Sequence, residues 1–356
     1  MRALFLFPYP PDDAPSQRFR FEQYMPLLSA QGIEIRVQPF WSPAAWKILY
    51  KEGYFLRKVA GFIGGNIRRC YALILAMRCE FVFIHRECAP IGPPIFEWLL
   101  SRVLRKRIIY DFDDAIWLPN TSHENRIAAF FKWHQKVKSI CAWSWKVSCG
   151  NQFLADFARS VNQHVIVNPT TIDTKRHQPV SVKKKRITVI GWTGTHSTLQ
   201  YLDEVITVLR VLRQKHPFTL LIISNKPPAF RFDGIEFLPW RKESEIEDLA
   251  KIDIGIMPLK DDIWARGKCG LKILQYMAMG IPSVASAVGV NGDIIDSGAT
   301  GFLCRTQDDW AENLERLLTD DTLCKKMGTA ARTHVQNSYS VDSNSSNFAS
   351  LFSLSR

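Results

Sequence analysis

The residues best suited to chemistry in this sequence are two lysines and a glutamine within one apolar segment. Lys268, Lys272 and Gln275 follow the spacing i, i+4, i+7, so they share one face of a helix. The segment predicts a helix that ends at Gly280, because Pro282 cannot continue it. Two lysines in the first turn add positive charge to a helix end that is already positive, which favours a bound anion. We interpret the segment as a receptor for a phosphorylated ligand; ordinary surface lysines are the alternative.

A loop with two glycines lies between a predicted strand, Ile187–Ile190, and a predicted helix, Thr198–Lys215. This layout lets backbone N–H groups approach a phosphate. Ser197 and Gln200 fit a capping box, S-x-x-Q, at the start of the helix. Tight turns also need glycine for structural reasons, but the lysine segment would open at the same edge of a parallel sheet. The candidate anion-binding residues of the loop are Gly191, Trp192, Thr193, Gly194, Thr195 and Ser197.

Three carboxylates come directly after another apolar strand, Arg107–Tyr110. Asp111 and Asp113 have the D-x-D form that can hold a metal–nucleotide pair. Alternatively, one of the three carboxylates, which include Asp114, orients or deprotonates an acceptor hydroxyl. Aspartates also suit turns and helix starts, so a purely structural cluster is the third interpretation.

Charged residues also follow two other strands of the first half. Arg18 and Arg20 come after the loop of the first strand, and Arg86 and Glu87 come, with His85, at the end of another apolar strand. In a parallel sheet these positions lie at one edge. We expect them to hold an acceptor or to neutralise a phosphate; surface ion pairs are the alternative for each.

The elements that position these residues alternate between strand and helix, which favours parallel sheets covered by helices. A chain of 356 residues exceeds one ordinary core, so we predict two domains. A polar, proline-containing linker occupies 168–186. We place one domain at 1–178, a second at 179–337, and at 338–356 a tail that docks back. Predicted helices include 124–145, 243–251, 308–319 and 321–336, and predicted strands include 3–7, 33–40, 80–84, 254–258 and 283–287.

Composition narrows the class of protein. The eight cysteines form no C-x-x-C pair, which argues against a zinc site or a disulfide framework and fits a reducing cytosol. The apolar run after Met1 is too short for a signal peptide, and no stretch is long and apolar enough for a transmembrane helix. Nucleic acid is not expected as a partner, because no recognition motif accompanies the positive charge.

The net charge of +12 lies mostly in the first half of the chain. Residues 41–78 contain seven basic residues and a single acidic residue, Glu52. Basic, aromatic-rich and amphipathic stretches are typical of segments that bind an anionic membrane surface. A solvated helical face with ordinary packing is the alternative. The interleaved aromatic residues are Trp41, Trp46, Tyr50, Tyr54, Phe55 and Phe62.

Taken together, these motifs resemble the family 4 glycosyltransferases with the GT-B fold. The resemblance is strongest from Gly267 to Gly301, whose sequence is similar to the family's donor-binding segment. The segments Ile190–Thr198, Tyr110–Trp117 and Asp308–Trp310 are similar to a bacterial branch of the family. The likeness covers most of the chain and is thinnest over residues 41–80 and the tail.

The resemblance implies two Rossmann-like α/β domains that face each other across a cleft. The second domain would bind a nucleotide-activated sugar, linked to UDP or GDP, and the first would bind the acceptor. The reaction would retain the anomeric configuration and need neither a metal nor another cofactor. Lys268 and Lys272 would neutralise the donor diphosphate, the loop from Gly191 to Ser197 would contact the same phosphates, and Gln275 would face the ribose. Arg266, which opens the matching segment, joins the donor-binding residues.

Two departures from the family pattern concern acidic and histidine positions. Many members carry a Glu-x7-Glu pair where this chain has Gly267 and Gln275. Many also place a histidine at the end of the acceptor-side strand, where this chain offers Asp113 and Asp114. We choose Asp114, then Asp113, as the catalytic acceptor-side residue, with Lys268 and Lys272 on the donor side.

The resemblance also implies a biological setting. We expect a retaining hexosyltransferase of bacterial surface polysaccharide synthesis, acting on a lipid-linked or glycan acceptor. The basic first half fits a cytoplasmic protein held peripherally on the inner face of the membrane. The alternatives are a metal-dependent transferase that uses Asp111 and Asp113, and a non-catalytic protein that binds sugar nucleotides or nucleic acid.

Overall fold

The computed structural model describes residues 1–118, 133–180 and 187–354. The chain forms two compact α/β units, one of Met1–Thr170 with Ser345–Arg356 and one of Thr171–Asn344. The expected boundary at residue 178 thus lies inside the second unit, and the expected tail divides at Ser345. Part of the predicted helix 124–145 and the basic run of the linker at 181–186 lie outside the described residues.

The first unit is built on a six-stranded parallel sheet with the order β2-β1-β3-β4-β5-β6. Its strands are β1 (Arg2–Phe7), β2 (Glu34–Pro39), β3 (Phe81–His85), β4 (Arg107–Phe112), β5 (Lys146–Cys149) and β6 (Val165–Val167). The central strands are apolar runs because helices cover both faces of the sheet. The strand order reverses between β1 and β3, and ligands of such sheets bind where the order reverses, at the carboxyl ends of the strands.

Short helices dominate the first unit, with one exception of 23 residues, α4. The helices are α1 (Pro15–Arg18), α2 (Met25–Ala30), α3 (Pro43–Leu49), α4 (Phe55–Met77), α5 (Ile95–Trp98), α6 (Lys136–Trp143) and α7 (Gln152–Arg159). The end of the chain returns to this unit. Phe348 stacks on Tyr24 with ring centroids 4.3 Å apart, and Phe352 stacks on Phe5 at 5.9 Å. Aromatic burial of this kind fastens the tail to the sheet.

The second unit has a six-stranded parallel sheet with the order β12-β11-β10-β7-β8-β9. Its strands are β7 (Thr188–Gly194), β8 (Phe218–Ser224), β9 (Ile235–Pro239), β10 (Ile254–Met257), β11 (Ser283–Ser286) and β12 (Gly301–Cys304). The strand order reverses between β7 and β10. The prediction that the loop begins at Gly191 is wrong, because Gly191 and Gly194 belong to β7 and the loop begins at Thr195. This end of β7 and the lysine segment after β10 both open at the reversal.

The helices of the second unit follow the predicted pattern with two corrections. They are α8 (Ile206–Lys215), α9 (Glu245–Leu249), α10 (Ile263–Arg266), α11 (Leu271–Ala278), α12 (Asn291–Ile294), α13 (Gln307–Thr319) and α14 (Asp321–Ser338). The short helix α15 (Ser345–Ala349) lies in the tail and belongs to the first unit. The predicted helix from Thr198 is wrong in its first part, because a 3₁₀ helix occupies His196–Glu204. The predicted capping box is also wrong: Thr195 is the N-cap, and the Gln200 amide donates to the Ser197 carbonyl at 3.1 Å.

The lysine helix begins later than the spacing predicted. α11 starts at Leu271, because Gly270 takes a left-handed conformation with φ of 67° immediately before it. Lys272 therefore lies in the first turn, whereas Lys268 lies in the preceding turn and not in the helix. The predicted end is confirmed, since Gly280 has φ of 71° and terminates the helix as a left-handed residue does.

Candidate functional site

Lys272 is the cation of the second unit that most resembles a ligand-binding group. Its ammonium lies 4.7 Å from the centre of the buried Trp192 ring, and its stem passes beside Gly194. The side chain is half-buried, and among the described residues no hydrogen bond or ion pair is found for it. Burial, and secondarily the charge of Lys268, lowers the pKa of Lys272 from 10.5 to about 7. A half-covered ammonium without a carboxylate is costly unless an anion joins it.

Lys268 reaches the same region from the turn between α10 and α11. Its ammonium lies 5.5 Å from the centre of the Trp264 ring, and it is close enough to Lys272 to lower the pKa of that residue. The two lysines thus form one positive patch although only one of them belongs to the helix. Two cations held together in this way favour a ligand with two negative groups, such as a diphosphate.

Gly191 and Gly194 each leave space for a neighbouring side chain. A Cβ at Gly191 would overlap the side chain of Ile252, so this glycine lets strand β7 pack closely. A Cβ at Gly194 would lie 2.7 Å from Cε of Lys272 and 2.7 Å from the Trp192 ring. Gly194 therefore makes room for the lysine. Trp192 is fully buried, so its ring packs against the Lys272 side chain and is not accessible to a ligand.

The rest of the loop is held by residues that the sequence analysis did not select. The Thr193 N–H donates to the Tyr276 hydroxyl at 2.9 Å, and the His196 N–H donates to the Asn225 side-chain oxygen at 2.7 Å. Those two N–H groups are engaged by the protein. Tyr276 lies beside Gln275 in sequence and Asn225 directly follows β8. Their positions at this edge of the sheet are the sequence feature from which their contact with the loop could have been predicted.

The remaining loop residues are exposed. Thr195 and Ser197 lie on the surface with their hydroxyl oxygens 3.0 Å apart. These two hydroxyls are therefore accessible to a ligand.

Gln275 and Arg266 are placed differently from each other. Gln275 is buried, and its amide nitrogen lies 3.3 Å from a carboxylate oxygen of the buried Glu245 on α9. Glu245, which the sequence pattern did not single out, brings a carboxylate to the helix position where the family pattern has an acid and this chain has the amide of Gln275. Arg266 is exposed and bound to Asp261 at 2.9 Å, so its guanidinium is already paired.

In the first unit, Asp111 forms the centre of a buried polar network. His85 Nδ1 lies 2.8 Å from one carboxylate oxygen, the Ser148 hydroxyl donates to the other at 2.6 Å, and Arg20 forms an ion pair with the same group. Burial raises the pKa of Asp111, but the charge of Arg20 and the hydrogen bond of His85 outweigh it and hold that pKa below its ordinary value. Asp111 and Arg20 are buried and form an ion pair with each other, so the charge of Arg20 is compensated within the fold, and its role toward an acceptor stays a prediction.

The other acceptor-side candidates lie nearer the surface. Arg86 holds Asp113 with contacts of 2.7 and 2.9 Å, and Glu87 lies 2.6 Å from the ammonium of Lys136. Asp114 is half-buried beside this group, and its charge raises the pKa of Arg86 together with that of Asp113 although burial opposes the shift.

Arg86 itself occupies a conformation that few residues adopt. Its φ is 62°, its N–H donates to the Asp111 carbonyl, and its own carbonyl accepts from the Tyr110 hydroxyl at 2.7 Å. These bonds fix a strained residue at the end of β3, which is common at functional sites. Arg18 is buried, with its guanidinium 3.7 Å from the exposed Asp12, so it belongs to the scaffold of the first loop.

The D-x-D metal site is not supported by the placement of its two carboxylates. Arg20 forms an ion pair with Asp111 and Arg86 with Asp113, so each of the two carboxylates already has a cationic partner within the fold. Among residues 1–118, 133–180 and 187–354, no group of three or more histidine, cysteine or acidic side chains could hold a metal.

Comparison with known sequences finds a family match within the second unit. Residues 185–320 match the family model described as glycosyl transferases group 1. N-acetyl-alpha-D-glucosaminyl L-malate synthase of Bacillus anthracis is 38% identical over 68 residues, which are 18% of this chain and 18% of that protein. D-inositol 3-phosphate glycosyltransferase of Corynebacterium aurimucosum is 42% identical over 69 residues, 19% of this chain and 16% of that protein. The chain thus aligns with under a fifth of each relative.

Comparison with solved structures identifies the fold of the whole chain. Anabaena Alr3699/HepE, whose structure was determined with UDP-glucose, has a TM-score of 0.65 at 15% identity and covers 99% of both chains. Together with two parallel six-stranded sheets, this likeness shows the two-domain α/β fold called GT-B, as the sequence predicted.

Proposed function

We propose that this chain is a glycosyltransferase that moves a sugar from a nucleoside diphosphate sugar to an acceptor hydroxyl. The single observation that carries the proposal is Lys272, a half-buried ammonium at the strand reversal of the second unit. Its pKa is lowered by burial, and no carboxylate among the described residues neutralises it. An arriving pyrophosphate supplies the missing charge. The match of residues 185–320 to group 1 glycosyl transferases supports the same reading.

The chemistry of transfer follows from this charge arrangement. When the glycosyl–phosphate bond breaks, negative charge grows on the departing diphosphate. Lys272 and Lys268 are already positioned there, so they stabilise the transition state more than the ground state. The Thr195 and Ser197 hydroxyls add hydrogen bonds to the same phosphates. Leaving-group stabilisation of this kind requires neither a strong base nor a metal, and we propose that the sugar keeps its anomeric configuration.

The nucleoside half of the donor would lie toward α11. We propose that Gln275 binds the ribose hydroxyls and that Glu245, which contacts its amide nitrogen, orients that amide. The carboxylate of Glu245 would partially replace the acid that the family pattern has at the position of Gln275. We propose that the nucleotide of the donor is UDP or GDP. Because the Anabaena protein was solved with UDP-glucose, UDP-sugars are the first probes.

The acceptor side is proposed for the first unit. Asp114 is the first choice for the group that orients or deprotonates the acceptor hydroxyl, and Asp113 the second, because Asp113 already binds Arg86. Arg86 and Glu87 frame the same strand ends. We propose a lipid-linked or glycan acceptor from bacterial surface polysaccharide synthesis, with the protein on the cytoplasmic face of the membrane.

A thermal-shift screen against UDP, GDP and their sugars tests the donor site. A ligand that binds only the native state raises the melting temperature, so we expect a shift with at least one nucleotide of this panel. The Lys268→Ala/Lys272→Ala variant should lose the shift. The matched control Lys325→Ala/Lys326→Ala, which removes two exposed lysines of α14, should keep it. No shift with any member of the panel, or an equal shift in the first variant, contradicts the donor site.

Turnover separates an enzyme from a binding protein. Once an acceptor is available, Lys272→Ala should lower kcat by about 100-fold or more, by analogy with the loss of one oxyanion donor. A folded Lys272→Ala variant with near-normal kcat would refute the role of this lysine.

A further inference from the structure

Helix α4 turns an apolar face toward solvent. The exposed residues recur at helical spacing of three or four along nearly all of its length, and their exposed fractions run from 40% to 80%. Amphipathic helices of soluble proteins present polar side chains on this side. We call this face the α4 stripe; its members are Phe55, Leu56, Val59, Ile63, Ile67, Tyr71, Ile74 and Met77.

The opposite face of α4 fixes this orientation. Arg69 is fully buried and donates to the backbone carbonyls of Phe7, Gln38 and Cys88 at 2.7 to 2.8 Å. Gly65 lies so close to the Phe40 ring that a Cβ would approach it to 2.5 Å. The helix therefore cannot roll to bury the stripe without breaking three hydrogen bonds of an interior cation.

The aromatic residues of the stretch 41–78 divide between the two sides. Trp41, Trp46 and Phe62 pack with Phe40 in an internal cluster, which agrees with the alternative of ordinary packing for these three residues. Tyr50 and Tyr54, by contrast, are 78% and 49% exposed just before the helix. They extend the exposed apolar surface toward the beginning of α4, and tyrosines are common where a membrane meets water.

Positive charge surrounds both ends of the stripe. Helix α4 contains no acidic residue, and Lys51, Arg57 and Lys58 lie at its beginning. Near its end, a cavity of about 410 Å³ is lined by Met77 of the stripe and by Arg78, Cys79, Glu80, Arg105, Lys106 and Arg107. The Lys106 ammonium donates to the carbonyls of Met77 and Cys79 at 3.0 Å, so the arginines provide the charge that faces outward.

We propose that the α4 stripe is a membrane-docking surface that lies in the interface of an anionic bilayer. The helix is about 34 Å long at 1.5 Å per residue, and its apolar side chains would enter the boundary between headgroups and acyl chains. Lys51, Arg57 and Lys58 at one end, and Arg78 and Arg105 at the other, would contact lipid phosphates. The proposal goes beyond the transfer reaction and does not depend on it.

Charge decides between a membrane and a second copy of this chain. A symmetric contact through the stripe would bring the basic ends of two copies together, and α4 carries no acid to offset them. A chain with a net charge of +12 repels its own copy but is attracted to anionic lipid. No helix among the described residues combines the length and apolar character needed to cross a membrane, so docking at the surface is the membrane mode that this face fits.

Flotation with lipid vesicles tests the proposal. The full chain should float with vesicles that contain phosphatidylglycerol and much less with vesicles of phosphatidylcholine alone, and added salt should weaken the binding. Ile67→Gln/Ile74→Gln should bind the vesicles at least about tenfold more weakly, because two inserted apolar side chains are lost. Val37→Gln/Val211→Gln, which changes two apolar residues of 47% and 50% exposure elsewhere, should bind like the wild type. Arg78→Gln/Arg105→Gln should reduce the salt-sensitive part.

Each result decides for or against the α4 stripe. The proposal is overturned if the wild type ignores phosphatidylglycerol vesicles, or if the isoleucine variant floats as well as the control. It is also overturned if the wild type is a dimer in solution and the isoleucine variant a monomer, since a second copy then covers the stripe. Melting temperature and the nucleotide shift of the isoleucine variant should equal those of the wild type, which separates failure of docking from failure of the donor site.

Discussion

Donor binding should depend on pH through the proton of Lys272. Burial lowers the pKa of this lysine to about 7 in the free protein, whereas a bound pyrophosphate favours the charged form and raises the pKa. The charged fraction falls from about nine-tenths at pH 6 to about one-tenth at pH 8, so the apparent Kd should rise about tenfold over this range. The rise continues until the pH reaches the pKa in the complex. Lys268 is the titratable neighbour that contributes to the shift.

The assay is isothermal titration calorimetry with a nucleotide sugar, beginning with UDP-glucose. A nucleotide sugar is the right probe because its second phosphate is esterified to the sugar and therefore lacks the ionisation near pH 6 that the terminal phosphate of free UDP has. At pH 8, buffers with different ionisation enthalpies should report uptake of nearly one proton per donor bound. If UDP-glucose gives no heat, the sugar that gave the largest thermal shift replaces it.

The control is Lys272→Arg, because arginine stays charged throughout this range. The variant should bind without proton uptake and lose the dependence of Kd on pH between 6 and 8. The reasoning is refuted if the wild-type protein binds its donor with equal Kd at pH 6 and pH 8 and takes up no proton. It is also refuted if Lys272→Arg keeps the wild-type pH profile, since another group must then titrate.

The remaining predictions concern the packing and charges around the two candidate sites. Gly194→Ala should destabilise the protein by about 1–3 kcal/mol, because the added Cβ collides with Lys272 and Trp192, and it should also weaken donor binding. Gly292→Ala is the control, because a Cβ at Gly292 would have nothing within 4 Å. Urea denaturation and donor titration should show no effect of this second variant. Asp111→Asn should cost about 3–5 kcal/mol, because it leaves buried Arg20 without its counter-ion, whereas Asp114→Asn should lower turnover with a much smaller loss of stability. Equal melting curves for Asp111→Asn and wild type would contradict the network, and full turnover of Asp114→Asn would move the acceptor-side role elsewhere.

The wild-type Asp111 network also sets a direction for acid stability. The pKa of Asp111 is lower in the folded protein than in the unfolded chain, so the folded state binds fewer protons when the pH falls below the unfolded value. Its stabilisation is complete above that value and is lost as the pH falls through the folded pKa. The stability gap between wild type and Asp111→Asn should therefore narrow in acid.

The architecture was predictable because it follows from pattern alone. Apolar strands that alternate with helices can be read from the chain, and parallel strands must end at one edge, so the glycine loop and the lysine segment had to meet. Lys272 and Gly194 do lie in contact at that edge. The start of α11 was missed because nothing in the spacing shows that Gly270 adopts a left-handed conformation, which shortens the helix and excludes Lys268.

The first unit shows what sequence could not supply. Arg20 and Asp111 are far apart in the chain, and their residue types are those expected of a ligand site. Their burial against each other is a property of the folded sheet, so Arg20 and Asp111, whose residue types suggested a binding site, form part of the scaffold. The stretch 41–78 is similar: its pattern predicted an amphipathic segment, but only the packing of Arg69 and Phe40 determines which side faces outward.

The contrast between Arg20 and Lys272 gives a physical criterion for separating scaffold from site. Both are cations in the connection that follows a parallel strand, Arg20 after β1 and Lys272 after β10, and both are removed from bulk water in large part. Arg20 has a carboxylate of its own, so its burial is compensated within the fold and needs no ligand. Lys272 has aromatic and aliphatic neighbours and a second cation, so the fold keeps an electrostatic cost that only an outside anion can offset. Holding Lys272 without an ionic partner among the described residues costs free energy, which is recovered when the diphosphate binds. For this reason we place the chemistry at α11 and not at the richer network around Asp111.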